Sequence, residues 1–138
     1  MTANAPGTVR FLSPDSLHQN PAYSNVVVAS GPVTTVYVGG QNAVNQAGEI
    51  VGKDDFAAQV RQILTNMEAC LSAAGAGFEH VIKMTIFVKS GQSLGEGLAV
   101  FQEMVPPGNP PVVTAAFVAG LAHPDFLAEI DATAVIPA

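Results

Sequence analysis

The chain is 138 residues long, enough for one domain around a single hydrophobic core. It is 49% hydrophobic and only 12% charged, with a mean hydropathy of +0.35, whereas soluble domains commonly carry roughly 25% charged residues. A net charge of −6 with five unclustered cations (Arg10, Lys53, Arg61, Lys83, Lys89) argues against a nucleic-acid partner, and no run reaches the ~18 to 20 apolar residues of a membrane span.

Residues 1–25 are rich in Pro, Ser and Asn and show little pattern beyond a short extended piece, Thr8 to Leu12. They read as a flexible extended lead-in to a single domain over 26–138. The opening MTANAPGTVR has no basic n-region and no apolar h-region, so no secretory leader is expected and a cytoplasmic location is the default. The single cysteine, Cys70, excludes an intrachain disulfide and fits a reducing compartment. Val26 to Ser30 and Thr34 to Val38 are β-branched runs separated by Gly31-Pro32, which predicts a hairpin. A polar loop follows from Gln41 to Lys53.

Asp54-Asp55 offers an N-cap, and Phe56, Val60, Ile63, Leu64, Met67 and Leu71 recur at helical spacing until Gly75, the expected C′ glycine. Val81 to Val88 alternates as a strand, with Ile82, Met84, Ile86 and Val88 on one face and Lys83, Thr85 and Phe87 on the other. A shorter helix is predicted over Leu94 to Met104, with Leu98, Phe101 and Val105 inward. The breaker Pro106-Pro-Gly-Asn-Pro-Pro111 ends it, and two strands close the chain, about Val112 to Leu121 and Leu127 to Ile136. The order β-β-α-β-α-β-β predicts an α+β fold, a mixed sheet with helices on one face. The other face has no covering element within the chain, so its apolar excess has to be buried by association.

Three stretches carry a family resemblance that runs from about Tyr23 to Val135. "GGQ" at 39–41 after a strand, "DDFAAQVRQILTNMEACLSAAGAGFEHVIKMTIFV" and "FVAGL…AEIDATAV" are similar to segments of the RidA (YjgF) family. The resemblance implies a chorismate-mutase-like fold, a homotrimer with intersubunit clefts, and cofactor-free, metal-free hydrolysis of reactive imines and enamines to a ketone and ammonia. A ribonuclease reading follows only from a label attached to the family, and the acidic chain speaks against it.

Such hydrolysis needs a proton on nitrogen, a placed water and usually an anchor for the substrate. A carboxylic acid in an apolar cleft suits the first two tasks. Glu129 falls at the family's functional glutamate, and Asp131 points to the same strand face, as does Thr133. The anchoring arginine of the family is absent: its position in Pro110-Pro-Val-Val-Thr114 is Val113, which cannot replace a bidentate guanidinium. The chain thus resembles an arginine-lacking branch, with a substrate that is neutral or less acidic. Tyr23 matches a tyrosine at the cleft mouth, Gly39 offers close backbone approach, and Phe87 and Phe117 are cleft walls or interface packing. His18, His80 and His123 share no ligand spacing, so no metal is expected. A non-catalytic trimer that binds a metabolite or another protein is the alternative.

Overall fold

The computed structural model describes residues 5–138; the first four residues, with that part of the lead-in and of the leader reading, lie outside the described residues. Strands β1 (Thr8–Leu12), β2 (Val26–Ser30) and β3 (Val33–Gln41) precede helix α1 (Phe56–Ala73). A 3-10 turn (Phe78–His80) leads into β4 (Val81–Lys89), helix α2 (Leu94–Met104), β5 (Val112–Val118) and β6 (Ala128–Pro137). The main sheet has the order β3-β6-β4-β5, with β4 and β5 parallel and the other pairs antiparallel. This is the expected α+β layout with a mixed sheet, preceded by one further strand.

The predicted hairpin does not form. β2 pairs with β1 in a separate two-stranded sheet, Leu12 opposite Val26, while β3 pairs with β6. Gly31 does make a turn, at φ +74°, but the chain leaves it for a different partner. Gly7 N–H donates to Ala138 O and Ala138 N–H to Pro32 O, so the start of β1 is tied to the end of β6. Thr8–Leu12 is therefore paired strand rather than flexible lead-in.

α1 forms where its apolar stripe and caps agree. Asp55 Oδ1 accepts from Ala58 N–H at 3.0 Å as N-cap. At the other end Ala76 N–H reaches Leu71 O and Gly75 N–H reaches Ser72 O, a Schellman closure around Gly75 at φ +75°. Ile63, Leu64, Met67 and Leu71 are wholly buried against Ala128, Ile130, Ala132 and Ala134 of β6 and Met84 of β4. The alanines let the helix lie close to the sheet.

Two inward assignments change. A register shift between Val81 and Lys83 puts Val81, not Ile82, in the core. On α2 the buried residue is Val100, whereas Leu98 is half exposed. Both helices lie on one sheet face, and among the described residues nothing covers the other, where Tyr37 is 80% exposed.

Candidate functional site

Alternation along β6 sends Ala128, Ile130, Ala132 and Ala134 into the core and leaves Glu129, Asp131 and Thr133 on the open face. Register with β4 sets Phe87 opposite Glu129 and Thr85 opposite Asp131, and directly opposite residues lie within side-chain contact. The two acids differ in what they do. Asp131 Oδ1 accepts from the Thr85 backbone N–H at 3.2 Å, so it is tied into the β4–β6 ladder. Glu129 is half-buried and makes no hydrogen bond or ion pair among the described residues.

A bulge positions the Glu129 carboxyl. Pairing of β3 with β6 shifts between Val38 and Gln41, at Gly39-Gly40. A Cβ built on Gly40 would stand 2.8 Å from Glu129 Cδ and 2.8 Å from Oε2, so the carboxyl rests on bare backbone. Space is open over Gly39, whose carbonyl accepts from Gln41 Nε2. Lys89, two residues beyond Phe87 on the same strand face, donates from Nζ to Pro124 O at 3.1 Å.

The remaining predicted residues lie on the other side of the sheet. Val113 pairs with Met84, an inward residue, and lines a cavity of about 320 Å³ between α2 and the β4–β5 half of the sheet. Tyr23 lines the same cavity. Phe117, opposite Val88, has the inward parity too but stands 54% exposed on the edge strand, outside the lining. Glu129, Asp131, Phe87 and Gly39 are thus separated from Val113, Tyr23 and Phe117 by the thickness of the sheet. A wider hollow of about 670 Å³ beside the Pro106–Pro111 loop has Glu79 as its one ionisable side chain and none of the predicted residues. Among the described residues no group of three His, Cys, Asp or Glu side chains could hold a metal, and no helix is long and apolar enough to cross a membrane.

Sequence reasoning passed over three residues that hold these positions. Gln59 is wholly buried: Nε2 donates to Gly52 O and Asp125 O, and Oε1 accepts from Leu127 N–H, next to β6. Its signal was a polar residue three positions after Phe56, inside the apolar stripe. Buried Ser24 donates from Oγ to Pro110 O at 2.6 Å and from its backbone N–H to Pro111 O, which fixes neighbouring Tyr23. Asn66 Nδ2 donates to Asn42 O and Val44 O and holds the loop after β3.

A two-helix α+β domain with a mixed sheet is the fold of solved Rid and YjgF structures. A family model described as Endoribonuclease L-PSP matches residues 14–136. The chain is 33% identical over 116 residues to a RutC family protein of Synechocystis sp., covering 83% of this chain and 86% of that protein. A Rid family protein of unknown function from Yersinia pestis superposes with a TM-score of 0.81 at 28% identity, over 93% of this chain and 98% of that one. The YjgF gene product of E. coli matches at 34% identity and a TM-score of 0.64, over 73% and 80%. The chain belongs to the RidA/YjgF (endoribonuclease L-PSP) family.

Proposed function

We propose that the chain is a hydrolytic deaminase of reactive enamine and imine metabolites, with a substrate range altered by Val113 at the position of the family's carboxylate-binding arginine. The observation that supports this reading is Glu129: a half-buried carboxyl on an open face, resting on the Gly40 backbone and free of hydrogen-bond partners among the described residues. In this reading the Glu129 carboxyl gives its proton to the imine nitrogen and takes one back from the water that adds to carbon. The carbinolamine then moves its hydroxyl proton to nitrogen, the C–N bond breaks, and ketone and ammonia leave. Asp131, held by Thr85, and Phe87 border the reacting group. The working unit is a cytoplasmic homotrimer: the Glu129 face of one copy meets the Val113 and Tyr23 side of the next. The opposite placement of these groups in one chain supports that arrangement.

The test is ammonia release from freshly generated imines, 2-aminoacrylate-derived and neutral side by side. Glu129→Gln keeps shape but loses the acid–base group, and its turnover is expected to fall at least ~100-fold. Ammonia release by the variant at the wild-type rate refutes the assignment.

One observation favours a second reading, a non-catalytic trimer that binds a small metabolite: the Val113 cavity has no charged side chain in its wall. Ligand-dependent stabilisation without turnover is its signature. Ribonuclease action, which the family's printed description carries, finds little support. The cations are scattered over β1, a loop, α1 and β4, and Arg61 is paired with Glu103.

A further inference from the structure

Glu129 and Lys89 are neighbours that do not pair. Phe87 stands opposite Glu129 across the β4–β6 ladder, and Lys89, two residues on, donates its backbone N–H to Leu127 O. The two charged residues are therefore diagonal neighbours on one sheet face, about 7 Å apart and within reach of long side chains. Among the described residues they form no ion pair with each other. The Glu129 carboxyl leans away from β4, over Gly40 of β3. The Lys89 ammonium donates instead to Pro124 O, at 3.1 Å, in the loop before β6. An ammonium has three N–H donors, so that bond holds the side chain and leaves the others open. Phe87 lies between the two groups as an apolar floor. Lys83, the other cation of β4, stands opposite Thr133, further along the strand from Glu129.

We propose that Lys89 anchors an anionic group of the substrate, a carboxylate carried several bonds away from the C=N carbon. The sign follows from the open ammonium donors, which form charge-assisted hydrogen bonds to a carboxylate. The separation follows from the divergence of the two side chains. An α-imino acid holds its nitrogen and carboxylate on adjacent carbons and cannot meet both the carboxyl over Gly40 and the ammonium at Pro124 O. A chain long enough to cross Phe87 meets both. Lysine is a compact point charge rather than a planar fork, so it holds one carboxylate oxygen and tolerates variation in where that oxygen sits. Val113 alone predicts a neutral substrate; Lys89 replaces that expectation, because it puts a cation on the Glu129 side of the sheet. The anion site stands by itself, whereas its serving an imine rests on the Glu129 reading above.

The test uses stable ketones of the product type: levulinate, whose carboxylate is set off from the carbonyl by a pair of methylenes; pyruvate, whose carboxylate is adjacent; and pentan-2-one, a neutral counterpart of levulinate. Binding is followed through amide NMR shifts of Gly40, Phe87, Lys89 and Glu129. Levulinate is expected to bind ~10-fold or more tightly than either of the others, and to lose that advantage at high salt, which screens an exposed charge. Lys89→Met keeps the stem without the charge and is expected to abolish the preference, and Lys89→Arg to retain it. If Lys89 only ties the loop to β4, Lys89→Met weakens levulinate and pentan-2-one alike and the preference persists, which overturns the proposal. No binding of levulinate, equal binding of pyruvate, or a levulinate affinity indifferent to salt overturns it as well. The wild-type comparisons need no variant, so they decide even where a substitution disturbs folding. Levulinate binding through Lys89 without ammonia release from any imine keeps the anchor and removes the Glu129 reading. Glu129-dependent ammonia release with no levulinate preference does the reverse.

Discussion

Replacing Gln59 by leucine removes one side chain and strands two backbone groups, the Asp125 carbonyl and the Leu127 N–H, while the Gly52 carbonyl keeps its bond from Asp55 N–H. The Gln59 amide joins the Gly52 carbonyl, the Asp125 carbonyl and the Leu127 N–H in a wholly buried position of α1. Leucine has similar volume, so cavity formation contributes little, and the cost is that of orphaned polar groups at ~1–3 kcal/mol each. Allowing for the amide's own desolvation, which disappears with it, and for partial hydration of the exposed loop ends, the expected loss from the two groups is about 2–4 kcal/mol. For a chain of this length that corresponds to a fall in Tm of roughly 6–16 °C. Urea unfolding followed by circular dichroism, at fixed protein concentration so that association does not confound the comparison, measures it. Gln59→Glu keeps an acceptor for Leu127 but sets an oxygen against two carbonyls, so it is expected to be at least as damaging. A loss below ~1 kcal/mol for Gln59→Leu refutes the reasoning, because it means that the Asp125 carbonyl and the Leu127 N–H find other partners at no cost.

Gly40→Ala places a methyl carbon against the Glu129 carboxyl and is expected to cut turnover more than tenfold with under ~1 kcal/mol lost in stability, read by ammonia release and denaturant midpoint together. Asp54 sits at φ +59° with its side chain unbonded among the described residues. Asp54→Gly is expected to raise stability by up to ~1 kcal/mol, and a decrease in urea midpoint refutes the strain argument. Asp55→Ala removes the α1 N-cap and is expected to cost about 1 kcal/mol in the same assay.

What could be read from the sequence was what repeats locally. α1 was legible because its stripe, the Asp55 cap and Gly75 all specify one helix, and each signal spans only a few residues. The outward placement of Glu129 and Asp131 was legible for the same reason, since alternation along one strand suffices. Pairing partners were not. Gly31-Pro32 announces a turn but carries no information on where the chain goes afterwards, and the β-branched runs on either side fit any sheet. The bulges at Gly39-Gly40 and near Ile82 were equally invisible, and each shifts faces by one residue, which is how Val81 rather than Ile82 reached the core. The face of Val113 depends on its register with Met84 across an intervening helix, a fact that no local pattern in Val112 to Val118 contains. Gly40 is a site residue for its missing side chain, and the adjacent Gly39 reads identically.

β6 runs through the middle of the sheet with β3 on one side and β4 on the other, and its odd and even residues serve separate ends. Ala128, Ile130, Ala132 and Ala134 face the helix layer, while Glu129 and Thr133 face the open side and Asp131, on that side too, also holds the Thr85 N–H. The outward set is therefore free to drift under selection for new chemistry while the inward set holds the fold constant. A combinatorial library confined to positions 129 and 133, with Asp131 kept for its bond to Thr85, should yield a high fraction of folded proteins, and relatives that share this scaffold are free to diverge in activity along a single strand.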